Sequence, residues 1–424
     1  MNEALKLHIP EYSELWYRQK IMNDPDTMSY NKGYNIDFDG YDKETGCIAF
    51  PEQKWADWYD YFVGNEPERF YAVRKSDGEF IGEVNVHKSK DDNRYEMGIV
   101  IEAKYRGKGY SGEALWLLLQ RAFEDMNAEA VHNDFEEERT AAAKTHLSAG
   151  FTEYRKENGI IELLITKEQY FRQKAIRRMT EAISGVLADN QPSIYLYGSS
   201  VLNDFRLGWS DIDILALTKK RISSSQAEKL VTLRQKLLKA EPDNPYYCSF
   251  EGGMLTLAAF ISKEPDCVVY WGTSGQRITD AYLFDSFGLS ELKESGKLLY
   301  GEDIRCHLKA PEYADFYRDI KKHYEAIRKY AQTTDRSFYS FGWLLDIARG
   351  IYTLRYRKVI AKTAAGRWAL DNNLCPVRSA LEIALKVRMS PVDYLENQEI
   401  LDFTAGLGPD IQSFADVLEK ELHL

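Results

Sequence analysis

Asp211-Ile212-Asp213 is the segment whose residue types and spacing carry the clearest chemistry. On an expected strand over 212–217, alternation puts Asp211 and Asp213 on one side and sends Ile212 and Ile214 into a core. Ser199 stands twelve residues before Asp211, in the run Leu196-Tyr197-Gly198-Ser199-Ser200, where a second expected strand, 194–197, ends. Two carboxylates so placed can share a divalent metal, and Mg²⁺ takes a few carboxylates plus phosphate oxygens rather than a closed cage. Gly198 and Ser199 offer close N–H and hydroxyl contacts to phosphates, and Arg206 can add a cation. Nucleotidyl transfer needs this set. The plainer alternative is a hairpin with two acidic residues facing solvent.

A second constellation lies earlier. Tyr95-Glu96-Met97-Gly98-Ile99-Val100-Ile101 reads as a strand, and Tyr105-Arg106-Gly107-Lys108-Gly109-Tyr110-Ser111-Gly112 follows it and opens an amphipathic helix over 109–126. Helix-start N–H groups and the helix dipole bind a pyrophosphate. Gly107, Gly109 and Gly112 let the backbone approach closely. A loop that merely needs positive φ is the alternative. One strand later, a helix over 137–148 leads to Gly150-Phe151, with Gly150 at a helix C-cap.

These two features together resemble the GNAT acetyltransferase superfamily over about residues 5–166. The family's acetyl-CoA loop reads Gln/Arg-x-x-Gly-x-Gly/Ala, and Arg106 to Ser111 matches it except for Ser111 at the last small position. The resemblance implies acetyl-CoA as co-substrate. It implies that the loop from Arg106 through Gly107, Lys108, Gly109 and Ser111 to Gly112 holds the pyrophosphate, and that Ile99 to Ile101 pairs with the pantetheine. Where family members often carry a Tyr that protonates the departing thiolate, this chain has His146, which either does that work or is structural. Arg139 stands in place of the usual Asn. Glu96 is the candidate general base, or else pairs with a loop cation. The 31–61 insertion, with Asp37, Asp39, Trp55, Asp57 and Trp58, is the expected acceptor region; an acidic helix over a buried Trp stripe is the alternative.

The Gly-Ser/Asp-x-Asp core resembles the nucleotidyltransferase superfamily. Residues 170–400, with Lys362-Thr363-Ala364-Ala365-Gly366-Arg367-Trp368-Ala369, look like the bacterial streptomycin/spectinomycin adenylyltransferases. That resemblance implies metal on Asp211 and Asp213, Lys362 on the nucleotide phosphates, and a third carboxylate as general base, for which Glu251 is the candidate. Tyr270-Trp271 is a candidate pocket wall, with a core role as the alternative. Asp346 reads as a helix-surface carboxylate near the expected drug-binding place.

The elements that must position these residues divide three ways: 1–167, an acetyltransferase-like domain; 168–308, a nucleotidyltransferase core; and 309–424, a helical domain. The expected fold class is α/β plus α, a mixed sheet with helices followed by a small α/β core and an appended helical bundle. Strands are expected over 69–74, 80–86, 95–101, 130–133 and 160–165 in the first part, and near 254–261 in the second. Helices are expected over 167–189, 225–239, 316–333, 339–357 and 379–386.

Composition sets the outer limits. The 424 residues suffice for two or three cores. A net charge of −11 disfavours nucleic acid and suits a cationic small molecule. The five cysteines are scattered, with no CxxC, which fits a reducing compartment. No leader-like apolar run opens the chain and no stretch of eighteen apolar residues occurs, so a cytoplasmic protein without membrane contact is expected. Composition leaves the oligomeric state open.

Overall fold

The computed structural model describes residues 5–64, 70–88, 94–264, 267–272 and 275–424. It divides into two compact units, Met1–Lys174 and Ala175–Leu424. Among the described residues no helix is long and apolar enough to cross a membrane.

The first unit is built on a seven-stranded sheet. In chain order its elements are β1 (Leu5–His8), α1 (Leu15–Met22), α2 (Pro25–Met28), α3 (Trp55–Tyr59), β2 (Phe70–Lys75), β3 (Phe80–Lys88), β4 (Tyr95–Ile101), α4 (Tyr110–Gln120), β5 (Ala130–Glu136), α5 (Thr140–Ala149), β6 (Thr152–Glu157) and β7 (Ile160–Thr166). The strand order is β1-β2-β3-β4-β5-β7-β6. The β4–β5 pair is parallel and the other neighbours are antiparallel. Period-2 alternation sorts the two faces. Val84, Val86, Met97, Ile101, Val131, Phe135, Leu163 and Ile165 join Leu115, Leu118 and Leu119 of α4 in one core. On the opposite face, Val100 and Phe80 meet a smaller cluster that includes Leu15 and Ile21 of α1, Trp55 of α3 and Phe50 of the loop before α3. The tryptophans of the 31–61 insertion are therefore packed: Trp55 is buried, and Trp58 meets Phe50 and Phe70 edge-to-face and Phe62 at a tilt. Arg69, expected to open the β2 strand, lies outside the described residues.

Helix α6 (Lys167–Val186) contains the division between the units. Ala175, Ile176, Met179 and Ile183 are buried, as the apolar periodicity predicts. The second unit continues with β8 (Pro192–Tyr197), β9 (Ile212–Thr218), α7 (Ser224–Ala240), β10 (Phe250–Thr256), α8 (Leu257–Ser262), β11 (Val268–Gly272), β12 (Gly275–Thr279), α9 (Ser286–Glu294) and β13 (Lys297–Tyr300). The strand order is β12-β11-β10-β9-β8-β13. Then come α10 (Tyr313–Tyr330), α11 (Tyr339–Tyr356), α12 (Lys362–Asp371), α13 (Arg378–Met389), α14 (Gln398–Ala405) and α15 (Gly408–Glu421). Their core gathers Phe316, Ile320, Phe341, Leu344, Ala348, Leu381 and Phe414.

The strand expected over 254–261 is half helix. Thr256 ends β10, and its side-chain oxygen accepts the N–H of Ala259 at 3.1 Å, capping α8. The apolar run Leu257-Ala258-Ala259-Phe260-Ile261 suits either element, and the cap decides it.

Candidate functional site

In the first unit, β4 and β5 are in register only at Tyr95 with Val131 and Glu96 with His132. Beyond Glu96 the strands part. Residues 97–101 keep their pairing with β3 but face no strand on the β5 side among the described residues. An extended ligand can add to such an edge by main-chain hydrogen bonds. At the C-terminal end of β4, Gly107 and Gly109 hold φ of +75° and +83°, a region costly for residues with a Cβ. Gly109 precedes α4, and no side chain caps the helix, so the first-turn N–H groups around Ser111 and Gly112 remain available to an anion. Ile101 is buried and Ile99 packs on the core, so their backbone edge, not their side chains, faces the gap.

Arg106 is a brace within the loop. Its guanidinium donates to the carbonyls of Ile101 (3.2 Å), Asp26 (3.2 Å) and Thr27, tying the loop to the end of β4 and to α2. The Lys108 ammonium lies 5.5 Å from the Tyr105 ring centroid. Glu96 meets a strand histidine rather than a loop cation: His87 Nε2 is 3.3 Å from its carboxylate. That hydrogen bond holds the Glu96 carboxyl below its ordinary range against the opposing effect of burial. His146 is 1% exposed and fully engaged. Its Nδ1–H donates to Ala142 O at 2.8 Å and its Nε2 accepts from Asn133 Nδ2 at 3.1 Å, while burial lowers its pKa. A neutral imidazole whose one proton is held by a carbonyl has the partners of a packed, structural histidine.

In the second unit, register builds the site. Tyr197 of β8 pairs with Asp213 of β9, and Asp213 pairs with Glu251 of β10, so the three side chains share one sheet face. Neighbouring strands lie about 4.8 Å apart, which brings the carboxylates together. Gly198 has φ +69°, and a Cβ there would collide with the Asp213 carboxylate. Only glycine allows this close approach. Ser199 Oγ donates to Asp211 O at 3.4 Å.

Burial pushes Asp213 well above its ordinary value, reinforced by Asp211, Glu291 and Glu251, with Lys362 opposing. Burial also pushes Asp211 up to about 6, with Lys362 and Arg234 opposing. Clustered carboxylates that resist ionising together form a donor set that a hard divalent cation would satisfy. Among the described residues no group of three or more His, Cys, Asp or Glu side chains is arranged as a metal site. A metal here would rest on Asp211, Asp213 and its substrate's oxygens.

These residues border a cavity of about 570 Å³, within the range of small-molecule sites. Gly198, Ser199, Asp211, Asp213, Glu251 and Lys362 all line it. Arg206 is not among the lining residues; its guanidinium donates to Phe205 O and lies at Met389 Sδ. Tyr270 lines the cavity, whereas Trp271 is fully buried with its indole N–H on Leu230 O.

Asp346 corrects the expectation of a surface carboxylate. It lines the cavity and holds Lys362 Nζ at 2.8 Å, with His323 Nε2 at 3.7 Å. Burial works to raise its pKa, but Lys362 and His323 win and hold the carboxyl well below the usual range. Glu291, paired with Arg349, also lines the cavity. So does Asp204, which joins Arg388. None of these three acids, nor His323, carries a local sequence signal, because their partners lie 16 or more residues away.

Residues 6–152 match the family model described as the acetyltransferase (GNAT) domain. A Bacillus subtilis (strain 168) protein described as the uncharacterized N-acetyltransferase YnaD is 31% identical over 64 residues, which are 15% of this chain and 38% of that relative. The chain thus spans well under half the length of that curated relative. Among solved structures, a GNAT-family acetyltransferase from Bacillus anthracis is similar at TM-score 0.32 and 19% identity, covering 39% of this chain and 96% of that one. Spermidine N-acetyltransferase from Vibrio cholerae, in complex with CoA and spermine, is similar at TM-score 0.32 and 19% identity, covering 39% and 97%. The N-terminal part of this chain therefore carries a GNAT acetyltransferase domain.

Proposed function

We propose that the first unit transfers an acetyl group from acetyl-CoA to a primary amine. The observation that carries this reading is the opening of β4 from β5 beside the glycine loop. The loop and the start of α4 would take the pyrophosphate, and the free edge over 97–101 the pantetheine amides. The test is release of CoA thiol from acetyl-CoA by the full chain across a panel of amines, polyamines and aminoglycosides. Acetylation of at least one amine, lost in Gly109→Val, is expected. A chain that neither binds acetyl-CoA nor acetylates any amine refutes the reading.

For the second unit, the Asp211–Asp213 pair against Gly198 and Ser199 favours O-adenylylation of a cationic aminoglycoside or aminocyclitol with Mg-ATP. Asp211 and Asp213 would hold Mg²⁺, which supplies neutralisation of charge on the triphosphate. Lys362, poised on Asp346, would meet the phosphates. Glu251 would accept the proton of the attacking hydroxyl. Tyr270, Tyr282 and Tyr339, with Asp285 and Glu291, make a wall of rings and carboxylates that suits a polycationic acceptor. Pyrophosphate release that depends on one such compound and vanishes in Asp213→Ala supports this. If no compound in the panel elicits release, the acceptor is of another class.

A further inference from the structure

On the sheet face opposite α4, the 87 and 96 positions of β3 and β4, the 132 and 134 positions of β5 and the 162 position of β7 fall side by side. They carry His87, Glu96, His132, Asp134 and Glu162. His132 stands apart in this group. It is 8% exposed, yet neither ring nitrogen has a hydrogen-bond partner among the described residues. Its nearest carboxylate oxygen, Glu162 Oε1, is 3.6 Å from Nδ1. A buried polar ring left without a partner costs stability unless something else uses it.

Its place in the sheet suggests the use. Glu96–His132 is the last registered pair before β4 and β5 separate. A ligand anchored by its pyrophosphate at 106–112 and running back along the free β4 edge would end there, about 17 Å from Ile101 at the strand rise per residue. We propose that His132 is a proton-accepting residue of the acetyl-transfer site, taking the proton of the acceptor amine and passing it by way of Glu96 and His87 to solvent. The inference rests on the acetyl-transfer reading of this unit.

The step balances as follows. The amine arrives as R–NH₃⁺, and one N–H bond breaks as its proton goes to a ring nitrogen of His132. The freed lone pair attacks the acetyl carbonyl carbon, a C–N bond forms, and the C–S bond breaks with its electron pair leaving on the CoA sulfur. The second nitrogen proton goes to that sulfur, and the imidazolium proton leaves through Glu96. Glu96 and His87 are 43% and 44% exposed, so the route reaches water. Glu162 is shared with Arg94 (2.7 Å) and Arg155 (3.5 Å). Asp134 is raised by burial first and by Glu96 next, with His132 opposing.

The test uses the full chain with His132→Gln and His132→Ala, followed by acetyl-CoA affinity and by the pH profile of kcat/KM for an amine substrate. Acetyl-CoA affinity within twofold of wild type is expected, with kcat down by about 100-fold or more. The acid limb of the wild-type profile, where the base takes up its proton and the rate falls, should vanish in both variants. Wild-type rates with an unchanged acid limb overturn the proposal, and so does loss of acetyl-CoA affinity in parallel with loss of rate, the mark of a packing role. A wild-type chain that binds no acetyl-CoA overturns the underlying reading and this inference with it. One that binds acetyl-CoA but acetylates no amine overturns the acetyl-transfer reading and this inference with it, whereas wild-type acetylation that His132→Gln leaves unchanged overturns the proton-transfer role alone.

Discussion

Replacing Asp204 by asparagine keeps the side chain's shape and removes one charge from a sealed ion pair. Asp204 Oδ2 accepts from Arg388 Nη2 at 2.8 Å and from the Thr363 N–H at 3.2 Å. Arg388 Nη2 also donates to Asp204 O, and its Nε to Thr363 Oγ1. The two charged residues are 4% and 2% exposed, so solvent compensates either charge only weakly. Asp204→Asn would leave the guanidinium buried and uncompensated, at a cost of about 3–5 kcal/mol. The direct attraction, about 4 kcal/mol at an effective dielectric of 20, agrees in size. At about 2–4 °C per kcal/mol for a unit of this length, the second unit should melt roughly 6–20 °C lower. Calorimetry of the full chain reads this, with the unfolding of the first unit as internal reference. The pH dependence has a fixed sign. Burial raises the Asp204 pKa, but Arg388 and Thr363 outweigh it and hold the carboxyl below its ordinary value. Stability from a depressed carboxylate is present above the unfolded pKa of about 4 and is lost as pH falls through the folded value. The gap between wild type and variant should therefore be full at pH 7 and shrink below about pH 4. Pairing the change with Arg388→Met should restore most of the loss. A single-variant loss under about 1 kcal/mol at pH 7 would refute the reasoning.

Two further outcomes are expected. Gly109→Val forces a β-branched residue into φ +83°, which costs about 1–2 kcal/mol of local strain; acetyl-CoA affinity measured by calorimetry should fall at least about tenfold. Lys362→Ala removes the cation that Asp346 holds in the cavity; under the adenylylation reading, ATP-dependent pyrophosphate release should lose most of its kcat/KM, with partial recovery in Lys362→Arg.

The legible parts of the chain were those whose signal is local. β4 runs over Tyr95–Ile101 as its alternation predicts, and Ile212 and Ile214 are buried beneath the Asp-x-Asp face. The run over 254–261 was misleading because apolar residues alone do not separate strand from helix, and the Thr256 cap does. The helix expected from 167 begins there as α6, and the division between the two compact units falls inside it, at Lys174. Long-range pairs were illegible in principle: 184 residues separate Asp204 from Arg388, and 16 separate Asp346 from Lys362. Asp346 reads as a surface acid until α11 and α12 meet. His132 is a lone histidine on a strand, and only the point where β4 leaves β5 makes it conspicuous.

That point of departure has a consequence for how the first unit holds together. A sheet with an unfilled interior edge is a host missing one strand, and under the acetyl-transfer reading its co-substrate is the missing piece. Ligand that binds the folded sheet and not the open chain adds about 2.7 kcal/mol at a hundred times its Kd. The mechanical firmness of this unit would then follow the supply of acetyl-CoA around it. A protease or a hydrogen-exchange measurement would find β4 and β5 soft when acetyl-CoA is scarce and closed when it is plentiful.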